Sequence, residues 1–248
     1  MNLKMIWMYH DLMDLYGDKG NLQVLKIRAQ QRGIDVTLDT CTIGEQRDIR
    51  GYDLFFLGGG ADREQSLIFE DLLKRRAEIE QAMAEKTAFL LICGGYQLFG
   101  QYYLDQDGKK IPGLGFFDYY TVAGDRDHRC IGNIAVEASM DGQVFEAVGF
   151  ENHGGQTHDV KTPFARVLSG HGNMFSGGQE GFVNDQVLAT YMHGPLLPKN
   201  PMIADLVIQR ALRKRSGEVE LKPLDDALET RAREVMLERL HVSRRKQG

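Results

Sequence analysis

The first half of the chain alternates between short apolar runs and longer runs with apolar residues at helical spacing. The strand-like runs are residues 3–9, 34–38, 53–57 and 87–92, and the helix-like runs are residues 21–31 and 64–85. An uninterrupted apolar run is typical of a strand that is buried on both faces. Because a helix between two parallel strands crosses over their sheet, the alternation predicts an α/β fold with a mostly parallel central sheet flanked by helices. We expect Asn21 to cap the first helix and Gly33 to end it.

Beyond Gly100 the apolar runs become shorter and are separated by glycines. We interpret five of them as later strands of the same sheet, together with segments that leave the sheet. The five runs are residues 116–122, 130–137, 143–149, 166–168 and 186–191. Two helices are predicted at residues 201–214 and 225–240, and the second has an apolar stripe that would dock on the core: Ala227, Leu228, Val235, Met236 and Leu240. The sequence has no internal repeat and no convincing linker, which favours a single domain over residues 1–248.

Charge and cysteine content exclude several classes of protein. The 248 residues include 30 Lys and Arg against 35 Asp and Glu, and this net charge of −5 disfavours a dedicated binder of nucleic acid or membrane surfaces. No apolar run approaches the ~20 residues that a membrane span needs, and the first residues lack a signal-peptide layout, so we expect a cytoplasmic protein. The cysteines, Cys41, Cys93 and Cys130, are odd in number and form no CxxC pair, which argues against a disulfide framework and a zinc site.

Cys93 follows the buried strand TAFLLI directly and precedes two glycines and a short helical pattern. This is the layout of a nucleophile elbow with cysteine in place of serine. The positive end of a helix dipole favours the thiolate, which is the reactive form, and the N–H of Gly94 would face a developing oxyanion. A free cysteine is more often a small buried hydrophobe, and Cys41 and Cys130 are interpreted that way.

A thiolate nucleophile needs a partner that accepts and donates protons, and two histidines are candidates. His193 follows the strand-like run VLATYM and precedes Gly194, so it would lie at the same sheet edge as Cys93. His153 is the competing candidate, in the glycine-rich segment ENHGG, where an ordinary turn histidine is an equal alternative.

The glycines at positions 58–60 also end a buried strand. Their bare N–H groups could complete an oxyanion hole, with Gly60 as its member, or the segment could be a tight turn before the next helix. The chain has no GxxxxGK[ST] sequence, so we expect it to bind no ATP through a phosphate loop.

Six segments together resemble class I glutamine amidotransferases of the cobyric acid synthase-like (CobB/CobQ) type. The narrower motifs FENHGG and HGPLLPKN resemble the glutaminase subunits of lipid II isoglutaminyl synthases. The segments are YGDKGN (16–21), FFLGGGADREQ (55–65), LLICGGYQLFGQYY (90–103), RCIGN (129–133), GFENHGGQT (149–157) and TYMHGPLLPKN (190–200).

The resemblance implies a glutaminase whose nucleophile is Cys93. The Gly60 and Gly94 amides would hold the oxyanion, and His193 would protonate the departing ammonia and then activate water. Gln97 matches the position that contacts the substrate glutamine, and Arg129 matches the arginine that binds the substrate's carboxylate. Spacing alone leaves Arg126 open as an alternative to Arg129.

Ordinary triad amidotransferases have a glutamate two residues after the histidine, and this position is Pro195 here. The resemblance implies that an aspartate from a partner, a Mur-ligase-like subunit (MurT), orients the histidine instead. That partner would hold ATP and Mg and amidate the D-glutamate α-carboxylate of lipid II at the inner face of the membrane, in a Gram-positive bacterium. No cofactor or metal is expected in this chain. The alternatives are a different acceptor such as a corrinoid, a catalytically silent partner of a ligase, and a cysteine peptidase.

Overall fold

The computed structural model describes residues 1–124 and 129–242. Arg126 lies outside the described residues.

In the described residues, six α-helices and fifteen strands follow one another along the chain. The helices are α1 (Lys19–Gln31), α2 (Asp62–Lys74), α3 (Arg76–Ala84), α4 (Gly94–Phe99), α5 (Pro201–Ser216) and α6 (Ala227–Arg239). The strands are β1 (Asn2–Met8), β2 (Asp35–Cys41), β3 (Leu54–Leu57), β4 (Ala88–Ile92), β5 (Tyr102–Leu104), β6 (Lys110–Pro112), β7 (Tyr120–Ala123), β8 (Cys130–Met140), β9 (Gln143–His153), β10 (Gly155–His158), β11 (Ala165–Ser169), β12 (Gln179–Glu180), β13 (Phe182–Val183), β14 (Val187–Thr190) and β15 (Met192–His193).

The central sheet has six strands in the order β13-β14-β4-β3-β1-β2. All its neighbours are parallel except β13 and β14. Leu57 pairs with Leu91, and Thr190 pairs with Ile92. The ends of β3, β4 and β14 are therefore level, and the residues that follow them meet at one edge. The predicted mostly parallel α/β fold is confirmed.

The later strands do not simply extend this sheet, which corrects the prediction from the sequence. Of the five predicted runs, only residues 187–190 join it, as β14. Strands β8, β9 and β11 belong to a second sheet in the order β12-β11-β8-β9-β15, and β7 belongs to a third in the order β10-β7-β5-β6. The reason is local: Asp141 and Gly142 both have positive φ, which makes a tight turn and pairs β8 with β9 as a hairpin.

Two helix predictions are also wrong in detail. The helix expected over residues 64–85 is broken at Arg75, whose guanidinium binds Asp71 and the carbonyl oxygen of Arg47. Asn21 does not cap α1, because the Asp14 carboxylate accepts a hydrogen bond from Lys19 N at 2.7 Å and the helix begins there.

Gly33 lies just beyond the end of α1 with φ +72°, as predicted for a helix terminator. The apolar stripe of α6 is only partly as predicted, since Leu228 is 79% exposed and Leu237 is the buried residue. Leu237 packs on the second sheet against Ala135 and Val148. Among residues 1–124 and 129–242, no helix combines the length and the apolar composition needed to cross a bilayer.

Candidate active site

Cys93 forms the turn between β4 and α4 and has φ 48° and ψ −99°. A positive φ is unfavourable for a residue with a side chain and persists only where the surroundings hold it. Here the N–H of Cys93 donates to Thr190 O at 2.8 Å, and its carbonyl accepts from Gln97 N at 2.9 Å. The elbow layout predicted from the sequence is therefore present, and it places the thiol at the edge where β3, β4 and β14 end.

His193 reaches the same edge from another direction. It belongs to the two-residue strand β15, which leaves the end of β14 and pairs with β9, so that His193 lies opposite Phe150. Gly59 lies close to both His193 and the nucleophile. A Cβ atom on Gly59 would lie 2.5 Å from Cε1 of His193 and 3.4 Å from Cβ of Cys93. Glycine is required there, because any side chain would displace one of the two.

A carboxylate of the chain itself orients this imidazole. The two Asp18 carboxylate oxygens lie 3.1 and 3.2 Å from Nδ1 of His193, and both side chains are fully buried. Nε2 of His193 has no hydrogen-bond partner in the part of the chain that the structure describes. Asp18 of the chain itself thus lies at Nδ1 of His193, where the resemblance implied a partner's aspartate, and a contribution from a partner stays a prediction.

Electrostatics favour the imidazolium form of His193. Burial by itself lowers the pKa of this group, but the negative charges of the Cys93 thiolate and of Asp18 raise the pKa to about 10. A protonated histidine beside a thiolate is the resting ion pair of cysteine-nucleophile enzymes, and it can donate a proton to a leaving group.

Gly60 and Gly94 are the two residues whose amides the sequence suggested for an oxyanion hole. The Gly59 N–H donates to Oδ2 of Asp18 at 2.8 Å, which fixes the preceding peptide and leaves Gly60 facing the pocket. Gly94 is the first residue of α4, so its N–H has no partner within the helix. Gly60 lines the pocket and Gly94 directly follows Cys93, and the oxyanion role of their amides stays a prediction.

An open pocket of about 450 Å³ lies over Cys93. Gly60, Gln97 and Arg129 are among its lining residues. Gln97 is 5% exposed at the base. Arg129 stands at the exposed rim, where its Nη2 donates to Oδ1 of Asn152 at 3.1 Å. The substrate-contact positions expected from the resemblance therefore line one pocket with the nucleophile.

The competing candidates make other contacts, although His153 also lines the pocket. His153 is buried, stacks on Tyr191 with ring centroids 3.7 Å apart, and has Nδ1 2.7 Å from Gly155 O. Burial lowers its pKa, so it remains neutral. Burial likewise raises the pKa of the Cys41 thiol and raises that of Cys130 to about 11, which keeps both unreactive.

Three residues of the site were not singled out in the sequence. Asp18 lies in the motif YGDKGN, Gln65 ends the motif FFLGGGADREQ, and Tyr191 precedes His193 by two positions. The only available signal for Asp18 was a carboxylate between Gly17 and Gly20 at the start of a helix. Gln65 and Tyr191 carry no such signal, because their partners lie on other elements.

The geometry defines a class of enzymes: acyl-transfer catalysts that attack with a cysteine thiolate at a strand-to-helix elbow, with a carboxylate-backed histidine as acid and base. The sequence model of the CobB/CobQ-like glutamine amidotransferase domain matches residues 4–201, and the chain belongs to that family.

Two relatives match over most of their length. The chain is 38% identical over 235 residues to the lipid II isoglutaminyl synthase (glutamine-hydrolyzing) subunit GatD of Staphylococcus aureus, covering 93% of this chain and 94% of the relative. It is 37% identical over 229 residues to the subunit of the same name from Streptococcus pneumoniae, covering 91% and 87%.

More distant similarity extends to larger proteins and to the fold. A probable cobyric acid synthase of Methanococcus maripaludis is 32% identical over 160 residues, which cover 60% of this chain but only 31% of that protein. A crystal structure of a glutamine amidotransferase superposes with a TM-score of 0.53 at 14% identity, covering 83% of this chain and 98% of that one. At that identity the likeness supports the fold alone.

Proposed function

We propose that the chain hydrolyses L-glutamine to glutamate and ammonia as the glutaminase subunit of a lipid II isoglutaminyl synthase. The observation that carries the proposal is the buried pair of Asp18 and His193 beside Cys93, which lines a pocket that a glutamine could enter. Catalysis needs a nucleophile, an acid and base, and an oxyanion site around one reacting carbon, and this edge of the sheet supplies all of them.

In the first half of the reaction, the Cys93 thiolate attacks the side-chain amide carbon of glutamine. The amide oxygen becomes an oxyanion, which the N–H groups of Gly60 and Gly94 stabilise. Imidazolium His193 donates its Nε2 proton to the amide nitrogen as the C–N bond breaks, so that ammonia leaves and a γ-glutamyl thioester remains on Cys93.

In the second half, neutral His193 accepts a proton from a water molecule that attacks the thioester. The C–S bond then breaks, which returns the thiolate and releases glutamate. Asp18 stabilises the imidazolium at each stage and holds the tautomer that keeps Nε2 toward the thiol.

Substrate recognition rests on Arg129 and Gln97. The planar guanidinium of Arg129 can bind the α-carboxylate of glutamine with two parallel hydrogen bonds. The carboxamide of Gln97 can contact the substrate inside the pocket, because Gln97 lies one helical turn beyond Cys93.

The ammonia would pass to a MurT-like Mur ligase subunit in a heterodimer. That subunit would use ATP and Mg to activate the D-glutamate α-carboxylate of the lipid II stem peptide, which ammonia converts to D-isoglutamine in peptidoglycan synthesis. Similarity to two relatives of that name over 91–93% of this chain supports this acceptor. The complex would act in the cytoplasm, at the inner face of the membrane that carries lipid II.

A corrinoid acceptor is the second candidate, because the match to a cobyric acid synthase covers 60% of this chain. That relative is a much longer protein, of which the chain spans about a third.

The test is the transfer of labelled amide nitrogen from L-glutamine to lipid II by the co-expressed chain and Mur-ligase-like subunit with ATP. We expect labelled lipid II with the wild-type chain and none with Cys93→Ala, whereas free ammonia should restore the product in the variant. Ammonia release without any transfer to lipid II would keep the glutaminase and overturn the acceptor. Absence of glutamine hydrolysis under these conditions would overturn the proposal as a whole.

A further inference from the structure

The carboxamide of Gln97 is held from both of its ends. Its Oε1 accepts a hydrogen bond from Nε2 of Gln65 at 3.1 Å, and its Nε2 donates to the hydroxyl of Tyr191 at 3.1 Å. A carboxamide rotated by half a turn would present a donor where an acceptor now lies, so these two contacts select one of two orientations.

Gln65 is held in turn by the loop that follows β3. Its Nε2 also donates to the carbonyl oxygen of Gly60 at 3.1 Å, so both amide hydrogens are used on acceptors. Because a backbone carbonyl can only accept, it forces the NH₂ group of Gln65 toward Gln97. Gln65 therefore connects the loop that ends β3 with helix α4 across the pocket.

Tyr191 is fixed by a buried network on the other side. Its hydroxyl lies 2.7 Å from Oγ1 of Thr157, which lies 2.9 Å from Oγ1 of Thr121, and the stacked ring of His153 covers its face. The Tyr191 oxygen accepts from Gln97, and the two threonine hydroxyls hold the Tyr191 hydroxyl in place.

The main chain at Gly155 also lies close to the carboxamide of Gln97. A Cβ atom on Gly155 would lie only 2.3 Å from Nε2 of Gln97, so even this small addition would displace the carboxamide.

We propose that Gln65 and Tyr191 are positioning residues that set the affinity of the pocket for glutamine by holding Gln97 in one orientation. This inference rests on the proposed function and deepens it. With Oε1 and Nε2 of Gln97 each bonded once, one lone pair and one N–H remain for the substrate in fixed positions. A site built to hydrogen-bond a substrate group rejects an analogue with the wrong donor or acceptor far more strongly than an apolar site does. The pair therefore also sets the preference for glutamine over glutamate.

The experiment compares Gln65→Met and Tyr191→Phe with Tyr96→Phe as the matched control. Tyr96 is another fully buried tyrosine of the same aromatic cluster, with its ring centroid 5.1 Å from that of Tyr191, and it does not line the pocket. Steady-state hydrolysis gives kcat and KM, and calorimetry on the Cys93→Ala background gives Kd for glutamine and for glutamate. The rate of Cys93 alkylation by iodoacetamide reports the nucleophile separately.

We expect Gln65→Met and Tyr191→Phe each to raise KM and Kd for glutamine about tenfold, the loss of one well-placed hydrogen bond. The ratio of glutamate to glutamine Kd should fall, alkylation of Cys93 should be unchanged, and Tyr96→Phe should match the wild type. Gln65 is partly exposed, so its variant tests the inference even if Tyr191→Phe is destabilised. Wild-type KM and Kd in both variants would overturn this inference alone, whereas a wild-type chain that neither binds nor hydrolyses glutamine would overturn the proposed function as well.

Discussion

A carboxylate oxygen of Asp18 lies 3.1 Å from Nδ1 of His193, although 175 residues separate the two in sequence. The segment that follows β1 makes this contact possible by folding back over the sheet edge, where Leu15 N donates to Gly59 O at 3.0 Å. The same carboxylate accepts from Gly59 N, so one buried side chain holds both the imidazole and the loop beside the thiol. The orienting group that Pro195 fails to provide is thus supplied from the opposite end of the chain.

Replacement of Asp18 by asparagine should lower kcat for glutamine hydrolysis by about 10²- to 10⁴-fold, because an amide nitrogen can face Nδ1 and favour the wrong tautomer. The loss of the negative charge should also lower the pKa of His193, so the alkaline limb of the kcat/KM profile should move to lower pH. Asp14→Asn is the control, since Asp14 accepts from Lys19 N and does not contact His193. A wild-type rate and pH profile for Asp18→Asn would assign Asp18 a structural role only.

The free energy of unfolding should decrease as the pH rises from about 4.5 to 7, because Glu180 loses its proton in this range. Burial raises the pKa of this carboxyl from 4.5 to about 7, against the lowering effect of hydrogen bonds from Thr190 Oγ1 and Tyr191 N. Because the folded state binds the proton more tightly than the unfolded state, the stabilisation is complete below pH 4.5 and is lost as the pH rises through 7.

Denaturant unfolding of Glu180→Gln checks this. A neutral amide resembles the protonated acid, so the free energy of unfolding of the variant relative to the wild type should increase by about 3 kcal/mol between pH 4.5 and pH 8. Exposed Glu220→Gln serves as the control. An equal difference at both pH values would show that Glu180 titrates normally.

Gly155→Ala should raise KM for glutamine about tenfold or more, because its Cβ would lie 2.3 Å from Nε2 of Gln97 and 2.8 Å from Cγ2 of Thr121. Gly51→Ala is a matched control, since a Cβ there would meet no atom within 4 Å. Steady-state kinetics with thermal melting separates lost substrate binding from lost stability. An unaltered KM in Gly155→Ala would mean that Gln97 does not need its present position.

Arg129→Ala should raise KM for glutamine by one to two orders of magnitude with a smaller effect on kcat, since a charge-assisted contact to a carboxylate contributes about 1.5–3 kcal/mol. Arg166→Ala is the control, because Arg166 is also an exposed arginine and pairs only with Glu137 at 3.0 Å among the described carboxylates. If KM does not respond to the loss of Arg129, another group binds the α-carboxylate.

Features encoded in consecutive residues were predictable from the sequence. A buried strand, Cys93 and two glycines specify the elbow locally, and the parallel strand β14 brings the chain to the same edge shortly before His193. The contact of Asp18 depends instead on the path of the chain between β1 and α1, which no spacing reveals. The sequence shows Pro195 where triad amidotransferases have a glutamate, and this suggested that the chain lacks an orienting carboxylate. That carboxylate is supplied by Asp18, which lies in a distant segment of the chain.

The same limit explains the errors in the fold. The apolar pattern over residues 64–85 is continuous, and the break at Arg75 arises from its contacts with a separate loop at Arg47 and Glu45. Likewise, periodicity indicates that residues 130–137 and 143–149 form strands but not which sheet they join. The Asp141 turn decides this by pairing the two strands with each other.

Ammonia release from L-glutamine by the purified chain, alone and with the proposed ligase subunit, tests the central claim most directly. The wild type and Cys130→Ala, which removes another buried thiol outside the pocket, should both release ammonia, and Cys93→Ala should not exceed the rate in buffer. Ammonia release by Cys93→Ala at the wild-type rate would contradict the assignment of Cys93 as the nucleophile.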